Sequence, residues 1–151
     1  MTTRTLVINP PFLEPHRPPI SCAIIGEVAR LQGHEVVAVD LNINLFNKVK
    51  HEKFMELQNK YLFSKDESCA NYLTEFINES LPVEFVKSFD WILVSVFSDQ
   101  NYPLSEIILR HCKTHGMPKW WLVVRVSLTS QIFCCKTNLW INVFVVKEKL
   151  P

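Results

Sequence analysis

Short, nearly continuous apolar runs alternate along this chain with longer segments in which apolar residues recur at helical spacing. The runs at 6–8, 36–39 and 90–97 are typical of strands that are buried on both faces of a parallel sheet. Alternating strands and helices predict an α/β fold, here a doubly wound, flavodoxin-like parallel sheet with helices on both faces and the strand order 2-1-3-4-5.

The loop after the first strand is long and rich in proline. Asn9, Pro10 and Pro11 stop the strand, because proline has no N–H for a sheet ladder. Pro18 and Pro19 suit the first turn of a helix, where a missing N–H costs nothing. This helix is predicted to end at Gly33 and to bury one face, made of Ile20, Ala23, Ile24, Val28 and Leu31.

Helical patterns also fill the connection between the second and third strands. Two helices are predicted, over 42–60 and about 68–80, followed by a short turn after Pro82. A polar loop at 98–102 then leads into a helix that begins at Pro103 and is capped by Gly116. Its predicted buried stripe is Leu104, Ile107, Ile108 and Cys112.

The last part of the chain departs from this alternation of strands and helices. The chain is therefore divided into a domain at 1–118 and an atypical tail at 119–151. Segments 120–126 and 139–146 have the pattern of a fourth and a fifth strand, but 127–138 is poor in helix formers. A parallel crossover needs a helix of about ten residues or more. The tail is therefore predicted to be irregular, and either poorly ordered or buried against a partner or a further domain through its apolar residues, which include Trp120, Trp121, Phe133, Trp140, Ile141, Phe144 and Val145.

Composition narrows the classes of function. Sixteen basic and 15 acidic residues nearly balance, so neither nucleic acid nor an anionic membrane surface is an expected partner. The amino terminus lacks a signal peptide's apolar core, and no uncharged apolar stretch has the length of a membrane span. The five cysteines have no zinc-ligand or C-x-x-C spacing, so reduced thiols in a cytoplasmic protein are expected.

Polar side chains at the carboxyl ends of strands one and three are the candidate binding residues, because ligands of open parallel sheets bind there. The candidates are Asn9, Pro10, Pro11, Ser95, Ser98, Asp99, Asn101 and Tyr102. An alternative role for Ser98, Asp99 or Asn101 is to cap the following helix. Asp40 ends strand two and is expected to cap a helix rather than to hold a ribose, because no G-x-G-x-x-G follows strand one. His16 is expected to be an exposed structural residue.

Residues 1 to about 118 resemble the amino-terminal, Rossmann-like cobalamin-binding-type domain of radical S-adenosylmethionine enzymes. The resemblance rests on an ordered set of short segments: Ile8-Asn9-Pro10-Pro11-Phe12, Arg17-Pro18-Pro19-Ile20-Ser21, Leu31-Gln32-Gly33-His34-Glu35-Val36 and Asp40-Leu41-Asn42. The resemblance implies a bound cobalamin cofactor with the first loop lying over it.

Departures from that family limit what the resemblance implies. The position of the family's Asp-x-His-x-x-Gly motif is occupied here by Asn9-Pro10-Pro11-Phe12-Leu13-Glu14, so a corrinoid would have no protein histidine on its cobalt. The glycine pair expected after strand four is also missing from 125–128. The C-x-x-x-C-x-x-C motif that holds an iron–sulfur cluster is absent. The cluster and S-adenosylmethionine are therefore expected only in a catalytic barrel that this chain lacks.

Two functions from different classes follow. The first is a cobalamin-binding-like domain that positions a cofactor or substrate and is not catalytic alone. The second is a stand-alone flavodoxin-like module that binds a protein through its apolar tail and holds no cofactor. A small hydrolase or transferase is the least favoured, because the sequence shows no nucleophile–base pair.

Overall fold

The computed structural model describes residues 3–96, 102–114, 120–125, 133–134 and 139–140, with side chains for 3–96 and 103–113. The elements, in chain order, are β1 (Arg4–Asn9), α1 (Ile20–Leu31), β2 (Glu35–Asp40), α2 (Leu41–Asn59), a π-helical turn (Lys60–Ser64), α3 (Glu67–Ser80), α4 (Val83–Lys87), β3 (Trp91–Val96), α5 (Tyr102–Thr114), β4 (Trp120–Arg125), β5 (Phe133–Cys134) and β6 (Leu139–Trp140).

A parallel sheet of order 2-1-3, flanked by helices, forms the centre of the protein, and this confirms the predicted α/β class. Leu6 of β1 pairs with Val37 of β2 on one side and with Ile92 of β3 on the other. The predicted fourth strand is also present, because β4 pairs in parallel with β3. With β1 inside the sheet, its carboxyl end has a neighbouring strand on each side.

The two faces of the sheet carry different cores, as the alternation of side chains along a strand requires. Leu6, Ile8, Ile92 and Val94 belong to the larger core, which α2, α3 and α5 cover. The stripe predicted for α5 is confirmed, since Leu104, Ile108 and Cys112 are fully buried in this core and Ile107 is partly buried. The smaller core, on the opposite face, joins Val7 and Leu93 to Cys22 and Ile25 of α1.

Of the face predicted for α1, Ile24 and Val28 pack against the smaller core, but Ala23 is exposed. The buried face of α1 is therefore only partly as predicted. Its buried residues are Ser21, Cys22, Ile25 and Gly26, whereas Ile20 is 67% exposed and Leu31 41% exposed. Apolar spacing misassigned part of the face because the first turn meets a polar part of the sheet, where small hydroxyl and thiol side chains are buried. The predicted end of the helix is confirmed, since Gly33 has φ +87°, which glycine adopts without strain.

The fifth strand of the order 2-1-3-4-5 is not found in the sheet among the described residues. Leu139–Trp140 instead pairs antiparallel with Phe133–Cys134, in a separate two-stranded sheet. A parallel fifth strand would need a covering helix, and the residues between β4 and β6 are weak helix formers. The Gly116 cap, the loop at 98–101 and the rest of the tail lie outside the described residues.

Candidate functional site

Three polar residues from neighbouring strands meet at one end of the sheet. Asn9 pairs with Asp40, and the pairing of Ile8 with Val94 brings Ser95 beside Asn9. We call Asn9, Asp40 and Ser95 the carboxyl edge. Because Asn9 and Ser95 follow residues of the smaller core by two positions, their side chains project to the face that α1 covers.

Asp40 organises the carboxyl edge with one oxygen. Its Oδ1 accepts hydrogen bonds from Asn9 Nδ2 at 2.9 Å and from the backbone N–H groups of Asn42 at 3.0 Å and Ile43 at 3.1 Å. The last two bonds cap the start of α2, which confirms the capping role predicted for Asp40. The same carboxylate therefore begins a helix and holds the neighbouring amide.

Asn9 is buried, with 1% of its surface exposed, and only half of its amide is used. Its Nδ2 group donates to Asp40, while its Oδ1 atom is buried without a hydrogen-bond partner among the described residues. Turning the amide over would place two oxygens against each other, so the carboxylate of Asp40 determines this orientation. Asn9 thus has an unpaired side-chain acceptor on the face of the sheet that α1 covers.

Ser95, Ser21 and Cys22 form a second polar group at the same place. The Ser95 hydroxyl donates to Ser21 Oγ at 2.7 Å, which joins β3 to the first turn of α1. Burial raises the pKa of the Cys22 thiol to about 11, against the lowering effect of its hydrogen bonds with Ser95 and Ser21, and the Asp40 carboxylate raises it further. Cys22 is therefore a neutral, unreactive thiol at physiological pH.

The amino-terminal end of α1 lies over this group of residues without a side-chain cap. Pro19 occupies the cap position, Ile20 N–H donates to the carbonyl of Pro18 at 2.8 Å, and Ala23 N–H makes the first bond of the helix, to the carbonyl of Pro19 at 3.1 Å. No acidic residue stands in the first turn. The positive end of the helix dipole is thus uncompensated by any side chain of that turn.

The loop that leaves β1 is fixed to α2 rather than free to swing. Phe12 is 5% exposed and its ring meets those of Phe54 at 5.6 Å and Tyr61 at 5.9 Å between centroids. Leu13 N–H donates to the side-chain Oδ1 of Asn42 at 3.0 Å. Phe12 has φ +68°, a conformation that is strained for a bulky residue and is held by this packing.

Two of these anchoring residues were missed in the sequence. Asn42 had a usable signal, because a polar residue just inside a predicted helix and next to Asp40 suits a local hydrogen-bond network. No sequence signal indicated the left-handed backbone conformation of Phe12, because glycine or asparagine usually occupies the left-handed region.

The other predicted site residues are only partly brought together. Pro10 and Pro11 are buried beside Asn9, at the start of the fixed loop. Ser98, Asp99 and Asn101 lie outside the described residues, and Tyr102 begins α5 without a described side chain. His16 is exposed, as expected, and its ring stands edge-on to Phe46 at 5.8 Å.

The remaining candidate chemistry is sparse in the described ranges. Cys22, Cys69 and Cys112 are buried free thiols. Within those ranges, no three His, Cys, Asp or Glu side chains come together as a metal site needs. None of the described helices combines the length and the apolar character that crossing a bilayer requires.

The fold and this edge define a class: an α/β protein with a parallel sheet and a polar carboxyl edge closed by the start of a helix. No protein family model, no curated protein and no solved structure matches the chain.

Proposed function

We propose that this chain is a cobalamin-binding-like domain of a radical S-adenosylmethionine protein, with a doubly wound, flavodoxin-like sheet, which positions a corrinoid or another small ligand and is not catalytic alone. Its binding site is the carboxyl edge together with the loop of Pro10 and Pro11. The iron–sulfur cluster and S-adenosylmethionine would belong to a separate catalytic domain, because these 151 residues contain no C-x-x-x-C-x-x-C motif.

One observation carries the proposal: the unpaired acceptor of Asn9. A buried acceptor left without a donor costs about 1–3 kcal/mol, so the Asn9 oxygen calls for a donor that the described residues do not supply, such as a ligand N–H or O–H. Asn9 ends the central strand of the sheet, beside the point where the chain crosses from one side of β1 to the other. Ligands of open parallel sheets bind at that position.

The residues present fit a neutral ligand better than an anionic one. The acceptor of Asn9 and the carboxylate of Asp40 both repel negative charge, whereas the first turn of α1 favours a ligand carbonyl. A corrinoid supplies a flat macrocycle with neutral amide arms and a reactive cobalt. In this chain Asn9 would accept a hydrogen bond from the ligand. The hydrogen bond between Ser95 and Ser21 would keep α1 against the sheet.

Binding of hydroxocobalamin tests the proposal, because a corrinoid absorbs strongly in the visible and its binding can be measured by equilibrium dialysis. We expect saturable binding that is weakened by Asn9→Leu. The matched control is Thr5→Val, at the opposite end of the same strand, where the Thr5 hydroxyl meets His34 Nδ1 at 2.9 Å. Thr5→Val should bind normally. If no binding is seen at high micromolar protein, the proposed cobalamin binding is rejected, whereas the fold assignment is unaffected.

The cobalt should carry no protein histidine, since no imidazole stands in the register of the family motif. His16 is held against Phe46, and its nitrogen is not part of the carboxyl edge. In the Co(II) state, electron paramagnetic resonance of the complex should show no hyperfine coupling from a histidine nitrogen. Coupling that disappears in His16→Ala would mean that the loop has been misread.

The second candidate is a protein-interaction module without a cofactor. It is favoured by two large apolar side chains on the described surface, Ile20 at 67% exposure and Phe63 at 75%. The apolar tail predicted to bind a partner lies mostly outside the described residues. Binding measurements separate the two candidates, because an interaction module stays colourless in the presence of hydroxocobalamin.

A further inference from the structure

Asn9 differs from the other buried asparagine of the described chain in how its side-chain oxygen is used. Asn42 Oδ1 accepts from Leu13 N–H at 3.0 Å, whereas Asn9 Oδ1 has no partner among the described residues. Both residues are almost fully buried, at 3% and 1% exposure. The missing bond is therefore a property of the Asn9 position and not of buried asparagine in this fold.

The unpaired atom cannot be exchanged for a donor by rotating the amide. Asp40 Oδ1 is already the acceptor for Asn9 Nδ2 and for two backbone N–H groups of α2, so an oxygen facing it would be repelled. Asn9 Oδ1 can therefore be satisfied only by a hydrogen-bond donor. Only a group with an N–H or O–H can complete it, and a negatively charged group is excluded.

The start of α1, on the same face of the sheet, favours a hydrogen-bond acceptor in the ligand. Its first turn has no side-chain cap and no acidic residue, so it offers positive potential and favours an acceptor oxygen. The Ser95–Ser21 hydrogen bond holds this turn against the strand beside Asn9. A ligand group at this point meets an acceptor on the sheet and a donor end on the helix.

We propose that the carboxyl edge recognises an uncharged primary carboxamide, whose N–H bonds to Asn9 Oδ1 and whose oxygen faces the first turn of α1. A carboxylate of the same skeleton lacks the donor and carries the wrong charge for Asn9 and Asp40. An ester keeps the oxygen but loses the N–H. This inference rests on the proposed function and sharpens it, because the arms of a corrin ring end in primary carboxamides.

Small matched probes test the inference without a corrinoid. The 151-residue protein, labelled with ¹⁵N, is titrated with propionamide, propionate and methyl propionate, and the amide resonances near the carboxyl edge are followed. We expect propionamide to bind at least about tenfold more tightly than methyl propionate, and propionate to bind least. The shifted resonances should include Asn9, Ser21 and Ser95. Asn9→Leu should remove the preference, and Thr5→Val should keep it.

Equal affinity for the amide and the ester would overturn the inference, as would shifts that avoid the carboxyl edge or a preference that survives Asn9→Leu. The outcome is separable from that of the proposed function. A carboxamide preference without hydroxocobalamin binding supports the inference and rejects the corrinoid. Hydroxocobalamin binding without a carboxamide preference supports the corrinoid and rejects the inference.

Discussion

Asn9 and Asn42 are both buried asparagines, but only Asn42 has a partner for its side-chain oxygen among the described residues. In Asn9→Leu the lost hydrogen bond to Asp40, worth about 1.5–3 kcal/mol for a charged partner, is offset by removing an unpaired acceptor that costs about 1–3 kcal/mol. We expect its free energy of unfolding to stay near that of the wild type. Asn42→Leu instead leaves Leu13 N–H without its acceptor and should cost about 1–3 kcal/mol.

Urea denaturation of the two variants measures this contrast directly. The substitution is the same in both, and both side chains are buried, so the loss of the amide itself is matched. If Asn9→Leu destabilises the protein as much as Asn42→Leu does, then Asn9 Oδ1 has a partner in solution and is not a site that a ligand must complete.

Cys22 gives a residue-scale prediction about pH. Its thiol has a pKa of about 11 in the folded protein against an ordinary value of 9.0, so between these values the unfolded chain loses the proton and the folded chain keeps it. Stability from this group is complete below pH 9 and falls as pH rises toward 11. The expected fall is about 1.4 kcal/mol per pH unit in that window. In Cys22→Ala the unfolding free energy should decline less steeply over this window, and equal slopes would contradict the burial of the thiol.

At the scale of elements, the loop after β1 depends on Phe12 in a left-handed conformation. Both Phe12→Ala and Phe12→Gly lose the ring contacts with Phe54 and Tyr61, but only glycine adopts φ +68° without strain. We therefore expect Phe12→Gly to be the more stable variant, since the left-handed backbone costs an alanine about 1–2 kcal/mol.

Phe54 supplies the control for this prediction, because it lies in α2 and contacts the same ring. We expect Phe54→Gly to have a free energy of unfolding about 1 kcal/mol lower than that of Phe54→Ala, because this is the ordinary penalty of glycine inside a helix. Thermal or denaturant unfolding of the four variants gives both differences. The same order of stability at both positions would mean that Phe12 is not held in the left-handed region.

Strands and helix ends could be predicted from the sequence because their signals are local. The continuous run at 6–8, the proline pair before α1 and Gly33 after it each act within a few residues. The buried face of α1 could be predicted only in part, because hydropathy favours Ile20 and Leu31 while the structure buries Ser21 and Cys22 against the carboxyl edge. That choice depends on which part of the sheet the first turn meets.

At the scale of the whole molecule, the order 2-1-3 follows from the crossovers between parallel strands, and it brings Asn9, Asp40 and Ser95 together although they are far apart in the sequence. The sequence placed Asn9 and Ser95 among the candidates because each lies at the carboxyl end of a strand. It did not indicate that Asp40 would fix the Asn9 amide and leave its oxygen unpaired. That result depends on a register set by the sheet as a whole.

The central claim is that this protein binds a ligand at the carboxyl edge of its sheet, and mapping the binding site by NMR tests it most directly. Cyanocobalamin, whose Co(III) is diamagnetic, is added to ¹⁵N-labelled protein while backbone amide shifts are followed. We predict saturable shifts centred on Asn9, Ser21 and Ser95, with Thr5 and His34 at the opposite end of the sheet unchanged. Shifts confined to that opposite end or to the outer surfaces of the helices, or no saturable shifts at all, would contradict it.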